Sequence, residues 1–254
     1  MARRPRRGAI GTRQAAGRVM TQGEMSPVTR STGHDSPGRP RDPLVEPRAL
    51  TAALEIYGQH GWSGFTMGRV TMLARVGKSS IYRRWPDRVE LLTAAFERTA
   101  LLFELDDSRV AGLPFQEQLL TMVQRRLYTY TTPTGTAIIR LQVEHHCGPD
   151  EVGEIWKGTL SRFRNGLRIL LGDAHVTSRL RPEASPELLA EALEGSMIMH
   201  ALAPPFPGAG AANINEQSFA LVKQVVGPWL TDPMTLPAGA RPLPPIIGAG
   251  GRPA

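Results

Sequence analysis

The stretch from Arg75 to Arg88, RVGKSSIYRRWPDR, contains a Gly-Lys-Ser of the sort that holds phosphate. Two kinds of phosphate fit it, a nucleotide in a P-loop or the backbone of DNA under a helix. A P-loop needs a second glycine five positions before the Gly-Lys-Ser glycine, so that successive N–H groups wrap the β-phosphate. Counting back from Gly77, that position is Met72, and the nearest upstream glycine, Gly68, is too far away. A P-loop also follows a buried strand. The residues before this one, Met67, Val70, Leu73 and Ala74, recur at helical spacing instead. The nucleotide reading fails on both counts.

Other reactive residues are few. His145-His146-Cys147 invites a metal, but adjacent helical residues point about 100° apart and no second cluster supplies further ligands. A helix C-terminus, where histidines suit the dipole, explains them better. There is no Gly-x-Ser-x-Gly, no His-Glu-x-x-His, no Cys-x-x-Cys and no strand-linked Rossmann glycine pattern. Glu144, Glu151 and Glu154 read as carboxylates on solvated helix faces. The chain is therefore not expected to be an enzyme, and no cofactor or metal is implied.

The elements that position these residues are helical almost throughout. The chain has 254 residues, ordinary hydrophobic content and no apolar run near the ~20 residues of a membrane helix. The single Cys147 excludes an internal disulfide framework and fits a reducing cytosol, so a cytoplasmic protein is expected. Leu50, Ala53, Leu54 and Tyr57 mark a first helix closing near Gly58 and Gly61; Thr66 caps a short second; a third covers roughly Lys78 to Arg84. Asp87 caps a fourth, with Glu90 completing a capping box. Phe115 to Tyr130 forms another, and a helix begun by Ala137, Ile138 and Leu141 ends near Gly148-Pro149. Val152, Ile155, Trp156, Thr159, Leu160, Phe163, Leu167 and Leu170 keep one helical period without a break. Pro186 opens a helix that Pro204 to Ala212 ends, and Phe219, Val222, Val226 and Trp229 lie on the last. The fold class is all-α, a small N-terminal three-helix domain followed by a larger helical body.

Two short helices joined by a tight turn, the second basic, make a helix-turn-helix. Thr66 to Arg88 carries six basic residues and one acid, Asp87, in a chain whose part after residue 43 nets only +1. Such a focus of charge suits DNA phosphate. Ile81 and Trp85, four apart, face the bundle and leave Lys78, Ser79, Tyr82 and Arg83 largely outside.

Glu46 to Glu104 resembles the DNA-binding domain of TetR-family transcriptional regulators. The resemblance rests on ARVGKSSIYRRWP, Ala74 to Pro86, and on AALEIYGQHGWSGFTM, Ala52 to Met67, the family's first helix and entry to the second. LRPEASPELLAEAL, Leu180 to Leu193, is similar to the start of the dimerising helices in part of the family. By position, the resemblance implies that Thr66 touches a phosphate and that Lys78 and Ser79 reach base edges. Ser80, Tyr82 and Arg84 would meet the backbone or groove wall, Arg83 either, and Arg88 would take a phosphate from the fourth helix. Two departures stand out. Arg75 holds a turn position usually given to glycine, at a cost on the order of 1 kcal/mol if left-handed. Gly68 weakens the second helix by roughly 1 kcal/mol.

The resemblance further implies a homodimer on a palindromic operator, a ligand-released repressor and a small-molecule effector. Leu189, Leu193, Met197, Phe219, Val222, Val226 and Trp229 make an apolar seam for the dimer interface, with Ala192, Gly195 and Ser196 allowing close approach. Met122, Leu141, Trp156, Leu160 and Phe163 are candidates to line a pocket for a lipophilic or aromatic effector, or they fill the core. The expected division is 1–43, a disordered basic tail; 44–104, the DNA-binding domain with its linking helix; 105–231, the ligand-binding and dimerisation domain; and 232–254, a Pro/Gly-rich tail. Residues 1–43 hold nine arginines and no apolar h-region, so they read as a DNA-attracting arm or a dispensable tail, not a secretory signal. A helical small-molecule-binding module without sequence-specific DNA function is the competing class; the basic segment argues against it.

Overall fold

The computed structural model describes residues 42–160, 165–203 and 214–234, without the side chains of residues 105–107. The two tails and the Pro204–Ala212 breaker, apart from residues 42–43 and 232–234, lie outside them, as does Phe163. The described residues form helices and turns, and their only β pairing is an isolated bridge between Leu180 and Leu230. None of their helices is long and apolar enough to cross a membrane.

The first four helices are α1 (Val45–Gly64), α2 (Met67–Ala74), α3 (Lys78–Tyr82) and α4 (Arg88–Val110). Their boundaries follow local chemistry. α1 leaves helical geometry at Gly61, whose φ of 64° is open to glycine. Thr66 Oγ1 accepts the Arg69 N–H to start α2, and Asp87 accepts the Glu90 N–H to start α4. Between α2 and α3 the chain turns through Arg75 at φ 53°, ψ 45°, so this residue does adopt the left-handed conformation. Gly68 sits on α2 in open space, where nothing requires it.

The body comprises α5 (Phe115–Tyr130), α6 (Pro133–Cys147), α7 (Asp150–Gly158), α8 (Asn165–Gly172), α9 (Ala174–Thr177), α10 (Pro186–Leu202) and α11 (Ile214–Val225), with a 3-10 turn at Gly227–Trp229. Thr132 caps α6 with Pro133 in its first turn, and Ser185 and Pro186 do the same for α10. Gly135 lets α6 turn back against α5, since a Cβ there would meet the Thr129 carbonyl and Tyr130 Cα.

One expectation needs correction. The apolar period from Val152 to Leu170 predicts one helix, but α7 stops at Gly158, and Thr159 leaves helical angles with φ −120°, ψ −74°. Gly158 weakens the helix there, and Thr159 Oγ1 turns back to the Ile155 carbonyl at 2.6 Å. A single apolar core runs from Val45 to Leu230. In it α1 packs on α6, α2 and α4, while α5 is covered by α11, α10 and α6. The segments 44–104 and 105–231 thus share buried surface, and α1 against α6 is the main seam between them.

Candidate nucleic-acid interface

The recognition segment is built from its anchors outward. Ile81 is fully buried and Trp85 nearly so, which pins α3 to the bundle by the side that carries them. Lys78, Ser79, Tyr82 and Arg83 occupy the opposite side and are exposed. Tyr82 stands 48% exposed, a large share for an aromatic ring with no burial to reward it. Arg75, at the turn, is exposed as well. Ser80 is half-buried, and its carbonyl accepts Arg84 Nη1 at 3.0 Å, so Arg84 is drawn back along α3. Thr66 is exposed beside the segment, its oxygen already capping α2.

Arg88 is placed differently from what the sequence predicts. Its guanidinium lies 4.0 Å from the centre of the Trp62 ring, and its Nη1 donates to the Trp62 and Phe65 carbonyls at 3.2 and 3.3 Å. A cation over indole, bonded to two carbonyls at the end of α1, is a positioning contact. It ties the start of α4 to the end of α1 and thereby sets the angle of the segment between them.

The largest omission from the sequence reading is Glu144, there assigned to a solvated face. Its Oε2 accepts from Tyr57 Oη at 2.9 Å and from the Trp62 N–H at 3.1 Å. Arg140, one turn earlier on α6, places Nε 2.8 Å from the Gly58 carbonyl and Nη1 3.4 Å from Glu144 Oε1. Gly61 is needed here twice over, since its Cβ would strike the Glu144 carboxylate. Burial first, and then the hydrogen bond to Glu144, hold the Tyr57 phenol well above the ordinary tyrosine range, so it remains a donor. This joint fastens the end of α1 to α6, and Trp62 links it onward to Arg88.

The pocket and interface residues also fall elsewhere. Met122, Leu141, Trp156 and Leu160 are buried core residues, and none lines either of two cavities in the described residues. Their spacing on inward faces made core and pocket indistinguishable. Leu189, Leu193, Met197, Val222 and Val226 are buried within the one chain, so they are core and not an exposed seam. Phe219 is half-buried, and Trp229 is 38% exposed. The outward face of α10 is instead Leu188, Ala192, Gly195, Met199 and Leu202. His145 lies at the end of α6, Nδ1 3.2 Å from the Leu141 carbonyl, with its ring stacked on Trp156. No group of three metal-capable side chains occurs among the described residues.

The fold and this segment define an all-helical protein with an amino-terminal helix-turn-helix. Residues 49–95 match the model for bacterial regulatory proteins of the tetR family. An HTH-type transcriptional regulator of Mycobacterium tuberculosis is 39% identical over 62 residues, which are 23% of this chain and 31% of that protein. A DNA-binding transcriptional repressor TetR of Mycobacteroides abscessus is 40% identical over 48 residues, 19% of this chain and 25% of its own. The chain thus spans about a third or less of the length of these curated relatives. Among solved structures, a TetR-like regulator from Rhodococcus is 18% identical with a TM-score of 0.54, covering 74% of this chain and 97% of that one. The fatty acid degradation regulator FadR from Bacillus halodurans, 16% identical, gives a TM-score of 0.54 over the same shares. These structures share the fold through the helical body, and the likeness to the tetR family in sequence lies in residues 49–95.

Proposed function

We propose that the protein is a sequence-specific DNA-binding transcriptional regulator, a homodimer that represses from a palindromic operator and leaves it when a small-molecule effector binds. The observation that carries this reading is the exposed face of α3, with Lys78, Ser79, Tyr82 and Arg83 outward while Ile81 and Trp85 anchor the helix. Lys78 and Ser79 enter the major groove and reach base edges. Thr66, Ser80, Tyr82 and Arg84 serve the backbone or groove wall, and Arg83 reaches either. Arg88 acts through Trp62 as a positioning residue.

A reader of this size covers one half-site, so two copies on a two-fold axis are required for a full operator. Leu188, Ala192, Met199 and Leu202, unpaired with apolar neighbours on their outer side, support α10 as the surface where the copies meet. The effector reading draws support from a cavity of about 330 Å³ between α6, α8 and α10, lined by Gln142, His145 and Glu194 among others. The place of action is the bacterial cytoplasm, on the chromosome.

Fluorescence anisotropy on the intergenic DNA beside the protein's own gene, at several salt concentrations, tests this. Wild type binds a palindromic fragment tightly, with affinity falling as salt rises. Lys78→Ala costs about 1–3 kcal/mol and relaxes sequence preference, while Tyr82→Ala weakens binding to all sequences. Binding that ignores sequence and survives both changes rejects the assignment of α3.

A further inference from the structure

A second cleft opens where α1, α4 and the α5–α6 turn converge, apart from the cavity between α6, α8 and α10. It is a small cleft, with about 50 Å³ of water-accessible space. Its floor is apolar: Leu50 and Leu54 from one face of α1, Ala95 and Phe103 from α4. One turn along α4 from Ala95 stands Arg98, half-buried; among the described residues it is the only cation in the lining, and no carboxylate lines the cleft. Among the described residues the Arg98 guanidinium has no hydrogen-bond or ion-pair partner, and the hydroxyls of Tyr128 and Thr134 at the rim have none either.

A cation withdrawn halfway from water against apolar walls, with no counter-charge, is a costly arrangement for a chain to keep empty. We propose that this cleft binds a small amphiphilic carboxylate. The carboxylate accepts the two-pronged fork of Arg98, aided by the Tyr128 and Thr134 hydroxyls, and a short alkyl chain lies between Leu50, Leu54 and Phe103. A guanidinium matches a planar monoanion in both shape and charge. A phosphate dianion would find one cation where it needs two. The apolar floor rewards each added methylene by about fourfold in affinity until the slot is full.

Isothermal titration of the full-length protein without DNA tests the site, so its failure leaves the DNA-binding reading standing. The probes are butyrate, hexanoate, hexanol and hexylammonium. Hexanoate binds more tightly than butyrate; hexanol binds at least about tenfold more weakly than hexanoate, and hexylammonium does not bind. Arg98→Gln loses about tenfold for hexanoate and nothing for hexanol, whereas Arg98→Lys keeps part of the affinity. Thr51→Phe, at a half-exposed wall position, plugs the cleft and abolishes binding while its melting temperature stays that of wild type. Equal binding of hexanoate and hexanol, hexanoate affinity unchanged in Arg98→Gln or Thr51→Phe, or no binding of hexanoate at tens of millimolar overturns the proposal.

Discussion

Replacing Glu144 by alanine should destabilise the protein well beyond an ordinary surface carboxylate substitution. Its Oε2 is the acceptor for two groups, the Tyr57 hydroxyl and the Trp62 N–H, at 2.9 and 3.1 Å. Tyr57 is fully buried and Trp62 only 6% exposed, so neither donor finds a ready substitute. An orphaned buried donor costs about 1–3 kcal/mol. The Glu144 side chain is 21% exposed, so water can reach part of the gap and the low end of that range applies. The sum is about 2–3 kcal/mol, or a fall of about 5–10 °C in melting temperature for a chain of this size. Losing the Arg140 pairing adds little, because a pair this exposed is worth about 1 kcal/mol at most. Glu144→Gln retains a carbonyl oxygen for the two donors and should cost about 1 kcal/mol or less. The assay is urea and thermal unfolding of wild type, Glu144→Ala, Tyr57→Phe and the double variant. Tyr57→Phe removes one of the donors that Glu144→Ala would strand, so the two changes should be non-additive by about 1 kcal/mol or more. A Glu144→Ala protein within about 0.5 kcal/mol of wild type, or a strictly additive cycle, refutes the joint as an energetic link.

Two further outcomes follow from the same geometry. Met199→Glu, at a position 61% exposed on the outer face of α10, should leave unfolding within about 0.5 kcal/mol of wild type but shift sedimentation from dimer to monomer; a persisting dimer removes α10 from the interface. Burial holds the Tyr57 and Tyr130 phenols well above their unfolded values, with the Glu144 and Glu194 carboxylates raising them further. The folded chain therefore keeps protons that the unfolded chain releases above about pH 10. Stability is fully present below that pH and falls as pH rises, by up to about 1.4 kcal/mol per pH unit for each phenol. Urea unfolding at pH 9, 10 and 11 should show this, with a shallower slope in Tyr57→Phe.

What the sequence revealed and what it hid divide by the distance over which each residue acts. Thr66 and Asp87 cap helices as the sequence implies, because a cap is satisfied within three residues. The two faces of α3 were equally legible, since Ile81 and Trp85 lie four apart and share one side of the helix. Arg88 belongs to the same basic run as Arg83, and nothing local separates them; what separates them is Trp62, 26 residues earlier, whose carbonyl and ring hold the guanidinium. Glu144 looked solvated because its partners lie 82 and 87 residues away.

The error on α10 has another cause. Leu188, Leu189, Ala192, Leu193, Met197, Met199 and Leu202 surround the helix, so apolar spacing names no preferred side. Packing of α10 against α5 and α8 makes the choice, burying Leu189, Leu193 and Met197 and leaving Leu188, Met199 and Leu202 outside. A helix that is apolar all round yet buried on one side only in a single chain retains a second apolar face at a standing cost in water. That residue of exposure, more than the spacing that first suggested a seam, is what argues for a second copy against α10.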